Sequence, residues 1–293
     1  MSTTSIKNIV MNLLITTVSF MKIIKNGITR CPLPHISIDK TEIYLLGNGP
    51  SLNNNLDNVK KTLQSNDCMC VNNFAESDLF AVIKPGYYIL LDPNFWRADC
   101  LKGVTEAREH LYETINRKTE WCMTLLVPIA AKKHLDWENI FIQNKNIKIY
   151  FFNSTPLAGY KSVIHRLYKY NMGMPHPQNV LVAAIFTAIN MGYKNIYLLG
   201  ADHSWHEDLV LNNDNVVCLR NKHFYDEETV KLVPWKKGDN GETTWKMHEI
   251  LTALAKMFEG YQHLEEYSRY RGVNIINASV KTSIDAFTRY QFH

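Results

Sequence analysis

The run Glu42-Ile43-Tyr44-Leu45-Leu46 stops at Gly47-Asn48-Gly49-Pro50-Ser51, and a helical pattern follows. Few folds accept that order. The apolar run reads as a buried strand, the glycines as a tight turn, and the next segment as a helix that starts at the turn. The pattern recurs. Cys68 to Val71 ends in Asn72-Asn73-Phe74, Tyr87 to Leu91 ends in Asp92-Pro93-Asn94, and Asn195 to Leu199 ends in Gly200-Ala201-Asp202-His203. Val273 to Ile276 ends in Asn277-Ala278-Ser279. Further strands are predicted at 121–127 and 147–152, and helices over 105–118, 179–191 (closed by Gly192) and 244–271. Alternation of this kind predicts an α/β fold, Rossmann-like, with a mainly parallel sheet flanked by helices. Ligands of such sheets sit beyond the carboxyl ends of the strands, so the tails are expected to converge on one site.

A chain of 293 residues, 46% apolar and 20% charged, can bury a full core, which excludes a disordered or collagen-like chain. A formal charge of only +4 gives no argument for nucleic-acid binding. The six cysteines are scattered without a C-x-x-C pair and read as free thiols in a reducing compartment. No internal repeat is visible. Residues 41–293 are expected to form one nucleotide-binding catalytic domain, with a lid or small insertion over about 205–243.

Residues 1–40 read as a separate helical segment. Ile9 to Ile24 is mostly apolar but interrupted by Asn12, Thr16, Thr17, Ser19 and Lys22, so the clean stretch is shorter than a spanning helix needs. Three readings stay open: a helix packed on the domain, a membrane-surface anchor with a basic end at Lys22, Lys25 and Arg30, and a secretory signal.

The Gly47-Asn48-Gly49-Pro50-Ser51 turn is the strongest chemical signal. Its glycines let backbone approach a ligand, and the helix behind it offers free N–H groups to a phosphate. No Gly-Lys-Ser/Thr follows, and the spacing is not the dinucleotide fingerprint. Asn48 is expected on a phosphate or sugar and Ser51 as a helix cap. Asn72 and Asn73 carry paired donors and acceptors suited to a base or ribose, or else form a simple turn. Asp92 either binds a sugar or caps the next segment. His203 and His206 stand three apart beside Asp202, but H-E-x-x-H is absent, so contact with a phosphorylated substrate is favoured over a metal. His248 opens the last long helix behind the polar stretch. It suits a general base near neutral pH, or a helix-start hydrogen bond. Lys236-Lys237 either meets an anionic substrate or is a solvated pair.

These blocks resemble a known group. Ile43 to Leu52 is similar to the opening strand and nucleotide loop of the family 42 bacterial sialyltransferases, and the same loop occurs in motility-associated factor and 6-hydroxymethylpterin pyrophosphokinase-like proteins. Val71-Asn72-Asn73-Phe74 resembles the sialyltransferase segment whose Asn contacts the CMP donor. Asn179 through Asp202 resembles its donor-binding helix, Gly-Tyr-Lys turn and Gly-x-Asp strand end. The resemblance spans about 42–280 and is specific in these three blocks. The chain departs from the pattern where Pro177-Gln178-Asn179 replaces a Thr-Ser-Gly, and where His203-Ser204-Trp205 stands instead of phosphate-binding tyrosines, with Tyr225 further on.

The resemblance implies a glycosyltransferase of bacterial surface-polysaccharide synthesis that moves a sialic-acid-like sugar from a CMP donor to an acceptor hydroxyl with inversion. It places Gly47, Asn48, Gly49, Pro50, Ser51, Asn72, Asn73, Asp92, Asn179, Gly200 and Asp202 on the nucleotide, with His248 as base and His203 as its rival. The partners it implies are a nucleotide sugar and a glycan acceptor, with no cofactor and no metal. The setting is cytoplasmic, at the inner face of the membrane if the N-terminus makes peripheral contact; an oligomer is compatible with it. The alternatives are a pterin pyrophosphokinase using ATP and magnesium, with Asp92 and Asp202 as metal ligands, and a non-catalytic nucleotide-binding module.

Overall fold

A computed structural model describes residues 3–26, 30–37, 39–97, 99–221, 231–237 and 243–292. Tyr225, and the parts of the expected lid at 222–230 and 238–242, lie outside the described residues. In chain order the elements are α1 (Thr3–Lys25), β1 (Glu42–Leu46), α2 (Ser51–Ser65), β2 (Asp67–Val71), α3 (Leu79–Ile83), β3 (Tyr87–Ile89) and α4 (Lys102–Lys118). Then come β4 (Met123–Pro128), α5 (Trp137–Ile140), β5 (Ile147–Phe152), α6 (Lys161–Lys169), α7 (Val180–Met191) and β6 (Asn195–Leu199). β7 (Leu209–Leu211), β8 (Val217–Asn221), β9 (Lys231–Pro234), β10 (Lys236–Lys237) and β11 (Thr243–Thr244) follow. The chain ends with α8 (Met247–Arg271), β12 (Asn274–Asn277) and β13 (Thr288–Arg289).

Eight strands form one parallel sheet in the order β13-β12-β6-β1-β2-β3-β4-β5. The strands are short and apolar because both faces are covered. Ile43 and Leu45 of β1 face one core, with α7 and α8, while Tyr44 and Leu46 face a second core against α2. α7 is apolar around its whole circumference and accordingly buried. The chain winds outward from β1 to β5 and returns on the other side of β1 as β6. The reversal makes the β1/β6 junction the switch point of the sheet.

The stretch expected to be a lid carries two small antiparallel sheets, β7-β8-β9 and β10-β11. All six cysteines are free, and Cys31, Cys68, Cys70 and Cys218 are buried. At the N-terminus the structure departs from the interrupted-run reading: Ile6–Lys25 is one helix, long and apolar enough to cross a membrane by length and composition. The polar residues that break the run do not break the helix, because Thr16 and Thr17 turn their hydroxyls back onto the carbonyls of Asn12 and Leu13.

Candidate functional site

The tails of β1 and β6 are laced together. The Gly47 N–H donates to the Leu199 carbonyl at 2.8 Å, and the Gly49 N–H to the Gly200 carbonyl at 2.9 Å. A side-chain carbon at Gly49 would stand 2.5 Å from the Gly200 carbonyl oxygen and would run into the Asp202 carboxylate. The approach of the two strand tails to each other by itself requires the glycine. Ser51 is likewise not the helix cap: the residue before α2 is Pro50, without a side-chain cap. The cap comes from across the junction. Asp202 accepts the Ser51 N–H at 3.0 Å through one carboxylate oxygen and the Ser51 hydroxyl through the other.

Beyond this junction opens a cleft of about 710 Å³. Gly47, Asn48, Gly49 and Pro50 line it from β1, Asn72 from β2, Asp92 from β3, and Gly200, Asp202 and His203 from β6. Asn179 closes it at the start of α7, and Ser154 follows β5. Four of the five expected tails thus meet. The fifth, Asn277-Ala278-Ser279, lies beneath them: the Ala201 N–H donates to the Ser279 hydroxyl at 2.9 Å. Asn73 is exposed and outside the cleft lining, because a 3-10 turn begins at Asn72 and swings the next side chain away. His206 is exposed, with its ring against Phe258, and is not part of the lining. His248 stands at the start of α8 as expected, but it too is exposed and outside the lining. His248 is thus not among the side chains that the cleft brings together. Lys237 is paired with Glu249 and packs over Trp245, and Lys236 is exposed.

Each polar side chain of the cleft has a local task and something left over. Asn48 donates to the Val71 carbonyl at 3.3 Å. Asp92 accepts the Asn94 N–H at 2.9 Å and caps a 3-10 turn. Asn179 caps α7, its Oδ1 accepting from Leu181 at 2.8 Å and Val182 at 3.3 Å. His203 is buried, with Nε2 2.8 Å from the Tyr261 hydroxyl. Three buried polar atoms of the lining have no hydrogen-bond partner among the described residues: Asn72 Oδ1, Asn179 Nδ2 and His203 Nδ1. Unpaired buried polar atoms are costly, and three on residues that line one cleft call for a partner such as ordered water or a polar ligand. Asn72 and His203 also hold left-handed backbone, at φ 47° and φ 50°. The Tyr88 hydroxyl, donating to the Asn72 carbonyl, pins the first of these turns. Burial pushes the His203 pKa down to about 4, so its ring is neutral at physiological pH.

Sequence reasoning missed Tyr261, which lies in mid-α8 with only helical spacing around it, and a second cavity of about 240 Å³ beside the cleft. Trp205, Trp235 and Trp245 line that cavity against Leu254 and Met257, and it shares Gln178, Asn179 and Trp205 with the cleft. Among the described residues no lysine or arginine lines the cleft and no cluster of metal-ligating side chains occurs. Both oxygens of Asp202 are engaged by Ser51, and one oxygen of Asp92 accepts the Asn94 N–H.

A family model described as 6-hydroxymethylpterin diphosphokinase MptE-like matches residues 7–208. No curated protein matches the chain. Among solved structures, the MAf glycosyltransferase from Magnetospirillum magneticum AMB-1 is similar over 95% of this chain and 38% of its own, with 15% identity and a TM-score of 0.48. A structure of the pneumococcal virulence factor StrH aligns over 81% of this chain and 53% of its own, with 11% identity and a TM-score of 0.17. The chain thus spans well under two thirds of the length of either.

Proposed function

This chain belongs to the 6-hydroxymethylpterin diphosphokinase MptE-like family, and on that premise we propose that it is a nucleotide-dependent transferase that moves a sugar from a CMP-linked donor to a glycan hydroxyl with inversion. The observation that carries the reading is the trio of unpaired buried atoms at the switch point. Their polarity sorts them. The Tyr261 hydroxyl donates to Asn179 Oδ1 at 3.1 Å, so its oxygen takes the His203 Nε2–H and the neutral ring is left with Nδ1 as an acceptor. Asn179 Nδ2 then stands as a donor beside the N-terminus of α7, where an anion is favoured, and His203 Nδ1 as an acceptor for a hydroxyl. Asn72 Oδ1, on the far side, is an acceptor suited to a base amino group or a ribose hydroxyl.

Such a cleft stabilises a leaving phosphate with neutral donors. The acceptor oxygen bonds to the anomeric carbon as the bond to the phosphate oxygen breaks, and the acceptor proton passes to the released phosphate. With no lysine or arginine among the described residues of its lining, the cleft suits a donor with one phosphate better than a triphosphate. The tryptophan cavity, adjoining the cleft through Asn179, takes the acceptor, whose ring stacks on the indoles. No metal or cofactor is part of this reading. The site operates in the cytoplasm.

The family description favours a second reading, diphosphoryl transfer from ATP to a pterin, in which the same indoles would stack on the pterin ring. Calorimetry with CMP, UDP and ATP, with and without magnesium, separates the two. Metal-independent CMP binding that His203→Gln weakens supports sugar transfer. Magnesium-dependent ATP binding with no CMP binding supports the kinase.

A further inference from the structure

A helix on a soluble domain buries its apolar stripe and turns its polar residues to water. α1 does the reverse. Thr16, Ser19 and Ile23 lie against the domain and are buried. Ser19 Oγ donates to the Ala158 carbonyl at 2.7 Å and accepts the Ala158 N–H at 2.9 Å. Thr16 Oγ1 accepts the Tyr160 N–H at 2.9 Å, and Lys22 Nζ donates to the Pro156 carbonyl at 3.1 Å. Gly159, at φ 130°, lets the loop press onto the helix: a side-chain carbon there would lie 2.8 Å from the backbone of Thr16. The contact is thus a built, polar one. Val10, Leu13, Leu14, Phe20, Met21 and Ile24 are all exposed, Ile24 by 70%.

We propose that this outward face lies in the plane of an anionic lipid surface, with the domain held on the helix's polar side. The helix has the length and apolarity to span a bilayer. Docked as it is, it does not span. From Thr16 onward it is hydrogen-bonded to residues 156–160, whose backbone carbonyls would have to enter hydrocarbon. The preceding ten residues, Ile6 to Ile15, rise only about 15 Å, half of the ~30 Å needed. The charge selects the partner. α1 carries Lys7, Lys22 and Lys25 and no carboxylate. That pattern attracts anionic headgroups and repels a second copy of itself. If the transferase reading holds, there is a further consequence. The docking loop follows Ser154, a cleft residue, so the helix sets the cleft beside the membrane, where a lipid-linked acceptor would stand.

The test is co-sedimentation of the full chain with phosphatidylcholine vesicles, with and without phosphatidylglycerol. Binding to the anionic vesicles, weakened by salt, is expected. Leu13→Glu with Phe20→Glu should lower the partition coefficient at least 10-fold, and Lys7→Gln with Lys25→Gln should lower it severalfold. Circular dichroism and nucleotide binding should stay unchanged in both. Equal binding to neutral vesicles would overturn the proposal, as would sedimentation indifferent to both double variants. So would a lipid-free dimer, seen by light scattering, that Phe20→Glu dissolves, or retention in cell membranes after alkaline carbonate washing, which marks a spanning helix. Because nucleotide binding is read separately, failure here leaves the transferase reading standing, and the reverse holds too.

Discussion

Asp202, at the end of β6, holds Ser51, at the start of α2, by both carboxylate oxygens. The bond joins the two strands that flank the switch point and places a buried negative group at a helix N-terminus, where it is favoured. The residue that reads as a ligand contact is first a clasp.

Asp202→Ala is therefore expected to destabilise the fold. It strands the N–H and hydroxyl of Ser51 in a buried place, at a cost of about 1–3 kcal/mol. Urea unfolding checks this; an unchanged midpoint would mean the clasp contributes nothing.

Gly49→Ala should also lower stability, because its new carbon meets the Gly200 carbonyl at 2.5 Å. Gly103, in the first turn of α4, has open space in the same direction, so Gly103→Ala is the matched control and should lose nothing. If both variants melt alike, the packing account of Gly49 fails.

The His203 ring makes stability depend on pH with a definite sign. Folded, it stays neutral down to about pH 4; unfolded, it takes a proton near ~6.5. Between those values the unfolded chain binds more protons, so stability falls as pH falls through that window and is unaffected above it. The ring's share is up to about 3 kcal/mol. His203→Gln should remove that share of the acid loss in denaturant titrations at pH 7 and pH 4.5. A wild-type slope in the variant would contradict the burial argument.

Activity separates the two histidines. Removing a polar side chain that meets the reacting groups costs about 10²–10³-fold in turnover, and that is the expected loss in His203→Gln. His248→Ala should transfer at a near-normal rate, since its side chain is outside the cleft lining. The opposite ranking would restore His248 as the base.

Trp235→Ala should raise the KM for the acceptor and leave nucleotide affinity untouched, because Trp235 lines the second cavity and not the cleft. A matching loss of CMP affinity would place the nucleoside, rather than the acceptor, on the indoles.

The strands were legible because each is short, apolar and punctuated. β1, β5 and β6 run as their sequence pattern predicts, Glu42–Leu46, Ile147–Phe152 and Asn195–Leu199. The convergence of the tails followed from parallel topology alone. What stayed hidden was relational. Nothing local in Gly49 says that the neighbour it must accommodate is Asp202, and nothing in Tyr261 says that it faces His203 across the start of α7. His248 illustrates the same limit: a helix start can be read from sequence, but the direction its side chain faces cannot. The small antiparallel strands after Trp205 escaped notice because they are short and half-exposed, so they leave no clear periodicity.

The clasp spans 151 residues of chain. During synthesis, β1 through β5 emerge while β1 still lacks its neighbour on one side, and the cleft comes into being only when β6 slots in beside β1. Such long-range closure is slow and leaves an unpaired strand edge in the meantime. A nascent or truncated chain ending before Asn195 would carry every expected nucleotide residue from Gly47 to Asn179 and still have no binding site. It would instead be prone to aggregate.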